Sequence, residues 1–265
     1  MKKIKLQVNL DDESKETAEV YVEGKIEGKP CKFLFDTACA KTTLSFDSFS
    51  SQFETIGSQE SSGIFGRTEY DLISVDRIDI NGAIIKNNME LARAKKGGLD
   101  RNLLGMDLLK DQRLAFSFNE ELVEVNPQQD KSSKSHDLIL DNKFIPHINL
   151  VYDSKNYVAT WDTGASITLV DTNFIDDHPT MFKPIGAEVG TDSTNAKEET
   201  PLYIMEPIII GNKKFPRHKV ASVPLTNVQS ASGMSMNFIL GFSTLRNAKW
   251  LFDFPQRKWS ISKML

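Results

Sequence analysis

Apolar positions along this chain gather into short runs that stop at small or turn-forming residues, a pattern of strands and turns. Two of these runs are alike. Tyr157-Val158-Ala159-Thr160-Trp161 delivers Asp162 into the small-residue turn Thr163-Gly164-Ala165-Ser166, and the chain then resumes as Ile167-Thr168-Leu169-Val170. Lys32-Phe33-Leu34-Phe35 delivers Asp36 into Thr37-Ala38-Cys39-Ala40 and resumes as Lys41-Thr42-Thr43-Leu44. The two acids stand 126 residues apart (162 minus 36), close to half of the 265-residue chain.

A second block recurs further on. Leu103-Leu104-Gly105 leads through Leu108-Leu109 to Phe116-Ser117-Phe118, and Ile239-Leu240-Gly241 leads through Thr244-Leu245 to Phe252-Asp253-Phe254, all at one offset of 136 (241 minus 105). Self-similarity of this kind predicts one unit written twice, with about ten residues added between acid and glycine in the second copy. Each glycine is expected to open a short helix that ends before the Phe-x-Phe strand. Between the blocks, Glu69 to Ile80 predicts a strand turning at Asn81-Gly82, and Leu202 to Ile210 one turning at Gly211-Asn212. Ahead of these hairpins lie glycine-containing stretches, around Gly63 and Gly66 in the first copy and from Gly186 to Gly190 in the second. They are expected to be hairpin tips in which glycine permits positive φ and flexing. The polar segment 127–137 reads as a linker between lobes 1–126 and 138–265. Ile4, Leu6 and Val8 predict an edge strand at the start.

Composition narrows the partners. The charge is mixed, 32 basic against 36 acidic residues for a net −4, with no long basic block, so nucleic acid is not expected to bind. No apolar run approaches the roughly 18 residues of a membrane span. Met1-Lys2-Lys3-Ile4-Lys5-Leu6 is not a signal-peptide core, so the chain as written is expected in the cytoplasm, or secreted or periplasmic if a leader was trimmed. Two cysteines make neither a disulfide framework nor a metal site. Cys39 is read as a small space-filling residue, with oxidation beside Asp36 as the rival reading. His136, His147, His178 and His218 show no ligand spacing. Trp161, Trp250 and Trp259 are expected in the core, and Tyr70 is expected as an ordinary strand tyrosine, the rival being a cleft-lining role.

Two acids in matching turns of matching halves predict a pseudo-twofold that brings Asp36 and Asp162 face to face. Two carboxylates in contact resist losing both protons, so the pair holds one over a wide pH range. One group then serves as base and the other as acid, the chemistry that adds water to an amide carbonyl without a cofactor or metal. Small residues after each acid allow close approach, and the Thr37 and Thr163 hydroxyls are placed to bond across the seam.

At these residues the chain resembles the aspartic proteases, and within them the retropepsin-like branch. Asp162-Thr163-Gly164-Ala165-Ser166 is similar to the family's Asp-Thr-Gly turn, and Leu103-Leu104-Gly105 with the apolar residues after it is similar to its second hallmark. The resemblance spans about 20–125 and 139–261. It implies an all-β protein of two similar retropepsin- or pepsin-like β-barrel lobes with a cleft between them and one short helix per lobe. It further implies Asp36 and Asp162 as catalytic pair, Thr37, Thr163, Ala38, Gly164 and Ser166 as supporting residues, and flaps around Gly66 and Gly190. The implied activity is an aspartic endopeptidase acting on a peptide or protein substrate as a monomer, strongest at acidic to mildly acidic pH. Ala38 replaces the family glycine, and its methyl either crowds the substrate backbone or is absorbed by a negative φ. An inactive peptide-binding module is the alternative it raises. Ala40, Ser166, Met106 and Phe242 stand where the retroviral branch keeps an Asp–Arg partnership, which leaves the acids untouched.

Overall fold

Two large sheets carry the chain in the computed structural model, which describes residues 2–12, 14–128 and 133–265. Each half delivers its acid by the same construction. Strand Lys29–Phe35 runs parallel to Asn102–Leu104, which lies antiparallel to the short strand Thr43–Leu44 on its other side. Strand Lys155–Trp161 runs parallel to Phe238–Leu240, which lies antiparallel to Thr168–Asp171. The register matches too: Phe35 pairs with Leu104, and Trp161 with Leu240. The position before each glycine is a fully buried leucine, Leu104 and Leu240.

The expected helices follow the glycines, at Met106–Leu109 and Phe242–Leu245. The second half carries two more. Thr172–Asp177 starts on Asp171, whose side chain accepts from the Asn173 amide at 3.1 Å, as a capping acid does. Thr226–Ser232 ends on Gly233 at φ 68 and lies where the first half has only the turn 94–101. Neither is legible in an apolar period, because both are short and Thr226–Ser232 buries no residue.

Both hairpin turns form as expected. Asn81 and Gly82 take positive φ between Arg67–Ile80 and Ile84–Arg93, and Gly211 and Asn212 do so between Ile209–Ile210 and Lys213–Lys214. The strand expected over Leu202 to Ile210 is two: Lys197–Met205 stops before 206–208, where Pro207 has no amide hydrogen to give to a ladder, and Ile209–Ile210 takes other partners. The first strand is not an edge. Lys2–Leu10 lies between Leu122–Val125 and Ala18–Ile26, and Ile4 and Leu6 are fully buried. Of the expected linker, residues 129–132 fall outside the described residues, while His136–Asp137 pairs with Trp259 and Lys258 of the last strand.

The two Phe-x-Phe strands also meet each other. Arg113–Ser117 runs antiparallel to Ala248–Asp253, so one sheet continues from the end of the chain into its first half. Above that junction the Phe116 ring lies 5.6 Å from Phe35 and 4.8 Å from Trp161, and Trp161 lies 4.4 Å from Phe252. Phe35 and Trp161 immediately precede the acids, so one aromatic cluster anchors both acid-bearing strands from below. Burying each such ring contributes roughly 1.5–3 kcal/mol. Trp161, Trp250 and Trp259 are all core residues. No helix among the described residues is long and apolar enough to cross a membrane.

Candidate active site

Each acid leaves its strand with the backbone already tied down. The Asp36 amide donates to the Leu104 carbonyl and the Asp162 amide to that of Leu240, both at 3.0 Å. The Met106 amide then donates to the Cys39 carbonyl at 2.8 Å, and the Phe242 amide to that of Ala165 at 2.9 Å. Finally, the Gly105 amide donates to the Thr42 hydroxyl and the Gly241 amide to the Thr168 hydroxyl, each at 3.0 Å. Glycine is required at both places by close approach. An added Cβ would lie 2.7 Å from the Lys41 carbonyl carbon in one half and 2.3 Å from the Ile167 carbonyl oxygen in the other.

Thr42 and Thr168 are site residues that sequence reading passed over, although they share the acids' offset of 126 (168 minus 42). Their own supports differ. Asp107 Oδ1 accepts from the Thr42 amide at 3.0 Å and from its hydroxyl at 2.7 Å. In the second half Ser243 Oγ accepts from the Thr168 amide at 3.0 Å, and the Thr168 hydroxyl meets that of Thr244, which reaches His218 Nε2. Burial raises the Asp107 carboxyl above its ordinary range.

The two turns lock together through threonine. Thr37 Oγ1 accepts from the Thr163 amide at 3.1 Å and donates to the Trp161 carbonyl at 2.8 Å. Thr163 Oγ1 accepts from the Thr37 amide at 3.2 Å and donates to the Phe35 carbonyl at 2.6 Å. Both side chains are buried, so these bonds are not shared with water.

Above that lock lie the acids. Asp36 Oδ1 accepts from the Ala38 amide at 2.9 Å and Asp162 Oδ1 from the Gly164 amide at 2.7 Å, and the two carboxyl groups are near enough to perturb each other. A Cβ on Gly164 would stand 2.5 Å from Asp36 Cγ, so the absent side chain is what admits the opposite acid. Ala38 takes a negative φ, and its methyl imposes no backbone strain. Ser166 takes part through its backbone, its carbonyl accepting from the Ala18 amide at 3.3 Å.

Both acids are held above the ordinary carboxylate range. Burial is the main cause for Asp36, with the Asp162 charge next, and the shift is large. Burial also lifts Asp162, but the amides of Gly164, Ala165 and Ala38 favour its ionised form, and it reaches only about 6. The pair therefore keeps a proton to higher pH than an ordinary carboxyl would. Cys39 is kept as a thiol by burial and by the adjacent Asp36 charge, with Sγ donating to the Lys41 carbonyl. Burial and the neighbouring acids outweigh the Lys41 and Thr43 contacts, which alone would favour the thiolate that oxidation needs.

Two long hairpins flank the acids. The first, Thr55–Ser62 with Arg67–Ile80, turns at 63–66, beside Gly66 as expected. Its root is clamped by buried Arg93, which donates to the Ser50 and Phe53 carbonyls, to Thr55 Oγ1 and to Asp71 Oδ2. The second, Phe182–Thr191 with Lys197–Met205, turns at 192–196. Gly190 is therefore not at its tip but within a strand, and Gly186, at φ 131, marks a β-bulge. Gly66 and Gly190 do not take positive φ, so flexing at such a conformation is not their role. Tyr70 is no ordinary strand tyrosine. Its hydroxyl crosses to the second hairpin and donates to the Ser193 carbonyl at 3.0 Å.

Residues 22–108, which carry Asp36, its turn and Gly105, match the family model for aspartyl proteases. This match supports an aspartic protease family, and hence a hydrolase of that type, for the chain. No curated protein matches it.

Proposed function

We propose that the chain is an aspartic endopeptidase with an Asp36/Asp162 dyad, a retropepsin-like lobe written twice in one chain and acting as a monomer. The lobes divide at 127–137 into 1–126 and 138–265. The observation that carries this reading is the pair of neighbouring, raised carboxyl groups seated on mirrored, threonine-locked turns.

In this mechanism ionised Asp162 takes a proton from water as the oxygen attacks the peptide carbonyl, while Asp36 gives its proton to the carbonyl oxygen. Asp162 then passes its proton to the leaving nitrogen and Asp36 recovers the hydroxyl proton, which closes the cycle with no other group required. Ala38 weighs against the inactive alternative, because its negative φ and its amide serve both acids.

The working form needs Asp162 ionised and Asp36 protonated. Activity should therefore rise through about pH 6 as Asp162 loses its proton, and fall at higher pH as Asp36 does. The test is cleavage of denatured casein followed across pH, with and without a pepstatin-like inhibitor. Asp162→Asn and Asp36→Asn should each lower kcat by about 10²–10⁴-fold, the range for general acid–base groups, without unfolding the chain. A fully active variant would remove the dyad from the mechanism.

A further inference from the structure

His218 opens the strand His218–Val223 and is buried, yet the mechanism above makes no use of it. Its Nδ1 lies 2.8 Å from the Pro216 carbonyl and its Nε2 lies 2.7 Å from Thr244 Oγ1. A carbonyl only accepts, so Nδ1 carries the hydrogen, and in the neutral ring Nε2 is left as an acceptor. That assignment fixes each hydroxyl in turn. Thr244 spends its one hydrogen on Nε2, so across their 2.6 Å contact Thr168 must donate to Thr244. Thr168 Oγ1 in turn accepts from the Gly241 amide at 3.0 Å. The result is a directed relay from Gly241 through Thr168 and Thr244 to His218 and out to Pro216. All three side chains are buried, and each bond polarises the next.

The relay begins at the loop that holds Asp162. Leu240, before Gly241, accepts from the Asp162 amide at 3.0 Å, and Phe242, after it, donates to the Ala165 carbonyl at 2.9 Å. Gly241 has no slack between them, since a Cβ there would fall 2.3 Å from the Ile167 carbonyl oxygen. A shift at Gly241 is therefore passed to the backbone on both sides of the Asp162 turn. The first half is built otherwise. Thr42 donates directly to Asp107 Oδ1, an oxygen that accepts whether its carboxyl is charged or neutral.

Protonation of His218 would reverse the order. With hydrogen on both ring nitrogens, Nε2 must donate to Thr244 and Thr244 back to Thr168. The Thr168 hydrogen is then left for the Gly241 carbonyl at 3.4 Å, beyond the usual reach of a hydroxyl bond. Burial also opposes the charge and lowers the pKa of the ring, while Glu16 favours the charged form. The neighbours Arg217 and Lys219 pair with Glu206 and Glu188 at 2.9 and 2.7 Å. Across the strands, His218 faces Met205. Strand Thr168–Asp171 keeps its acid at the far end, opposite Val223, and helix Phe242–Leu245 has no ionisable side chain. A folded-state pKa below the unfolded one means that the neutral ring adds stability above the unfolded value of about 6.5, and that this is lost as pH falls through the folded one.

We propose that His218 is a positioning residue for Asp162: its bare Nε2 directs the Thr244–Thr168–Gly241 relay, and the Asp162 turn keeps its seat only while that nitrogen can accept. The catalytic part of this inference rests on Asp162 belonging to the reacting pair.

The experiment follows the His218 ring nitrogens, the Gly241 amide and the Asp162 carboxyl carbon by NMR across pH, on the full chain and on His218→Gln and His218→Phe. Glutamine offers Thr244 an oxygen that does not titrate, and phenylalanine offers nothing. In the unaltered chain the ring should carry its hydrogen on Nδ1 at neutral pH, and the Gly241 amide should shift at the pH at which Nε2 gains a proton. That step should vanish in His218→Gln, with the Asp162 titration unmoved. In His218→Phe the Gly241 amide should exchange about fivefold faster, the factor one net hydrogen bond is worth, and the Asp162 titration should move. A Gly241 step that persists in His218→Gln, or an Asp162 titration that is the same in all three proteins, would overturn the proposal. Where peptide is cleaved, kcat/KM should fall on the acid side with two protons in the unaltered chain and with one in His218→Gln. An identical fall in both would also overturn it. The NMR signals need no turnover, so absence of cleavage alone counts against the dyad and leaves them to decide the role of His218.

Discussion

The turn after Asp36 and the turn after Asp162 make the same backbone bonds with different side chains. In both, the acid's amide meets a leucine carbonyl, a glycine amide meets a threonine hydroxyl, and a helix amide meets the third residue past the acid. Yet alanine faces glycine at 38 and 164, and a buried carboxylate at Asp107 stands where the second half uses the Ser243 hydroxyl. The geometry therefore demands few identities: the acid, the threonine after it, the threonine six residues on, and the glycine that closes the loop. The remaining freedom is where the halves become unequal acids. Asp162 draws on the amides of Gly164, Ala165 and Ala38, Asp36 on those of Ala38 and Cys39, so the two carboxyl groups sit among different donors.

The sharpest way to break this comparison is to exchange the residues that differ. Gly164→Ala places a methyl 2.5 Å from Asp36 Cγ and should swing that carboxyl out of the pair. A misplacement of that size costs about 10²-fold in kcat/KM. The mirrored change, Ala38→Gly, meets no such clash. It should cost under about 1 kcal/mol in urea unfolding, through unfolded-state entropy alone. Equal losses from the two substitutions would mean that the halves are symmetric at this position after all.

The threonines sharpen the other side of the comparison, where the halves agree. Thr37→Val and Thr163→Val each strand a buried amide and a buried carbonyl, and each should cost about 2 kcal/mol in unfolding free energy. Because the four bonds are mirrored, the two costs should match within about 1 kcal/mol, and the double variant should lose less than their sum. A large cost for one and none for the other would show that a single turn carries the lock.

The comparison also explains what was legible in the sequence. Asp36, Asp162, Gly105 and Gly241 stood out because each is a local demand, a turn acid or a close backbone approach, that one residue type meets. The Asn81-Gly82 and Gly211-Asn212 turns were legible for the same reason. Pairing between Arg113–Ser117 and Ala248–Asp253 was not, since each strand's own pattern fits any partner and the choice is made by the aromatic cluster beneath the acids. The second hairpin's tip was misplaced because Gly186 and Gly190 looked like loop residues. The Asp192-Ser193-Thr194-Asn195 run, whose Asp192 side chain accepts three bonds from its own turn, was the stronger turn signal. Thr42 and Thr168 were visible at the acids' own offset, but a hydroxyl receiving a glycine amide across a loop leaves no mark on apolar periodicity.

The central claim is that one proton is shared unequally by Asp36 and Asp162, and carboxyl-carbon NMR of the aspartates across a pH titration tests it most directly. Asp162 should titrate near about 6, with Asp36 still protonated at that pH and perturbed by its neighbour's ionisation. Two independent titrations, both near the ordinary aspartate value of about 3.9, would contradict the account.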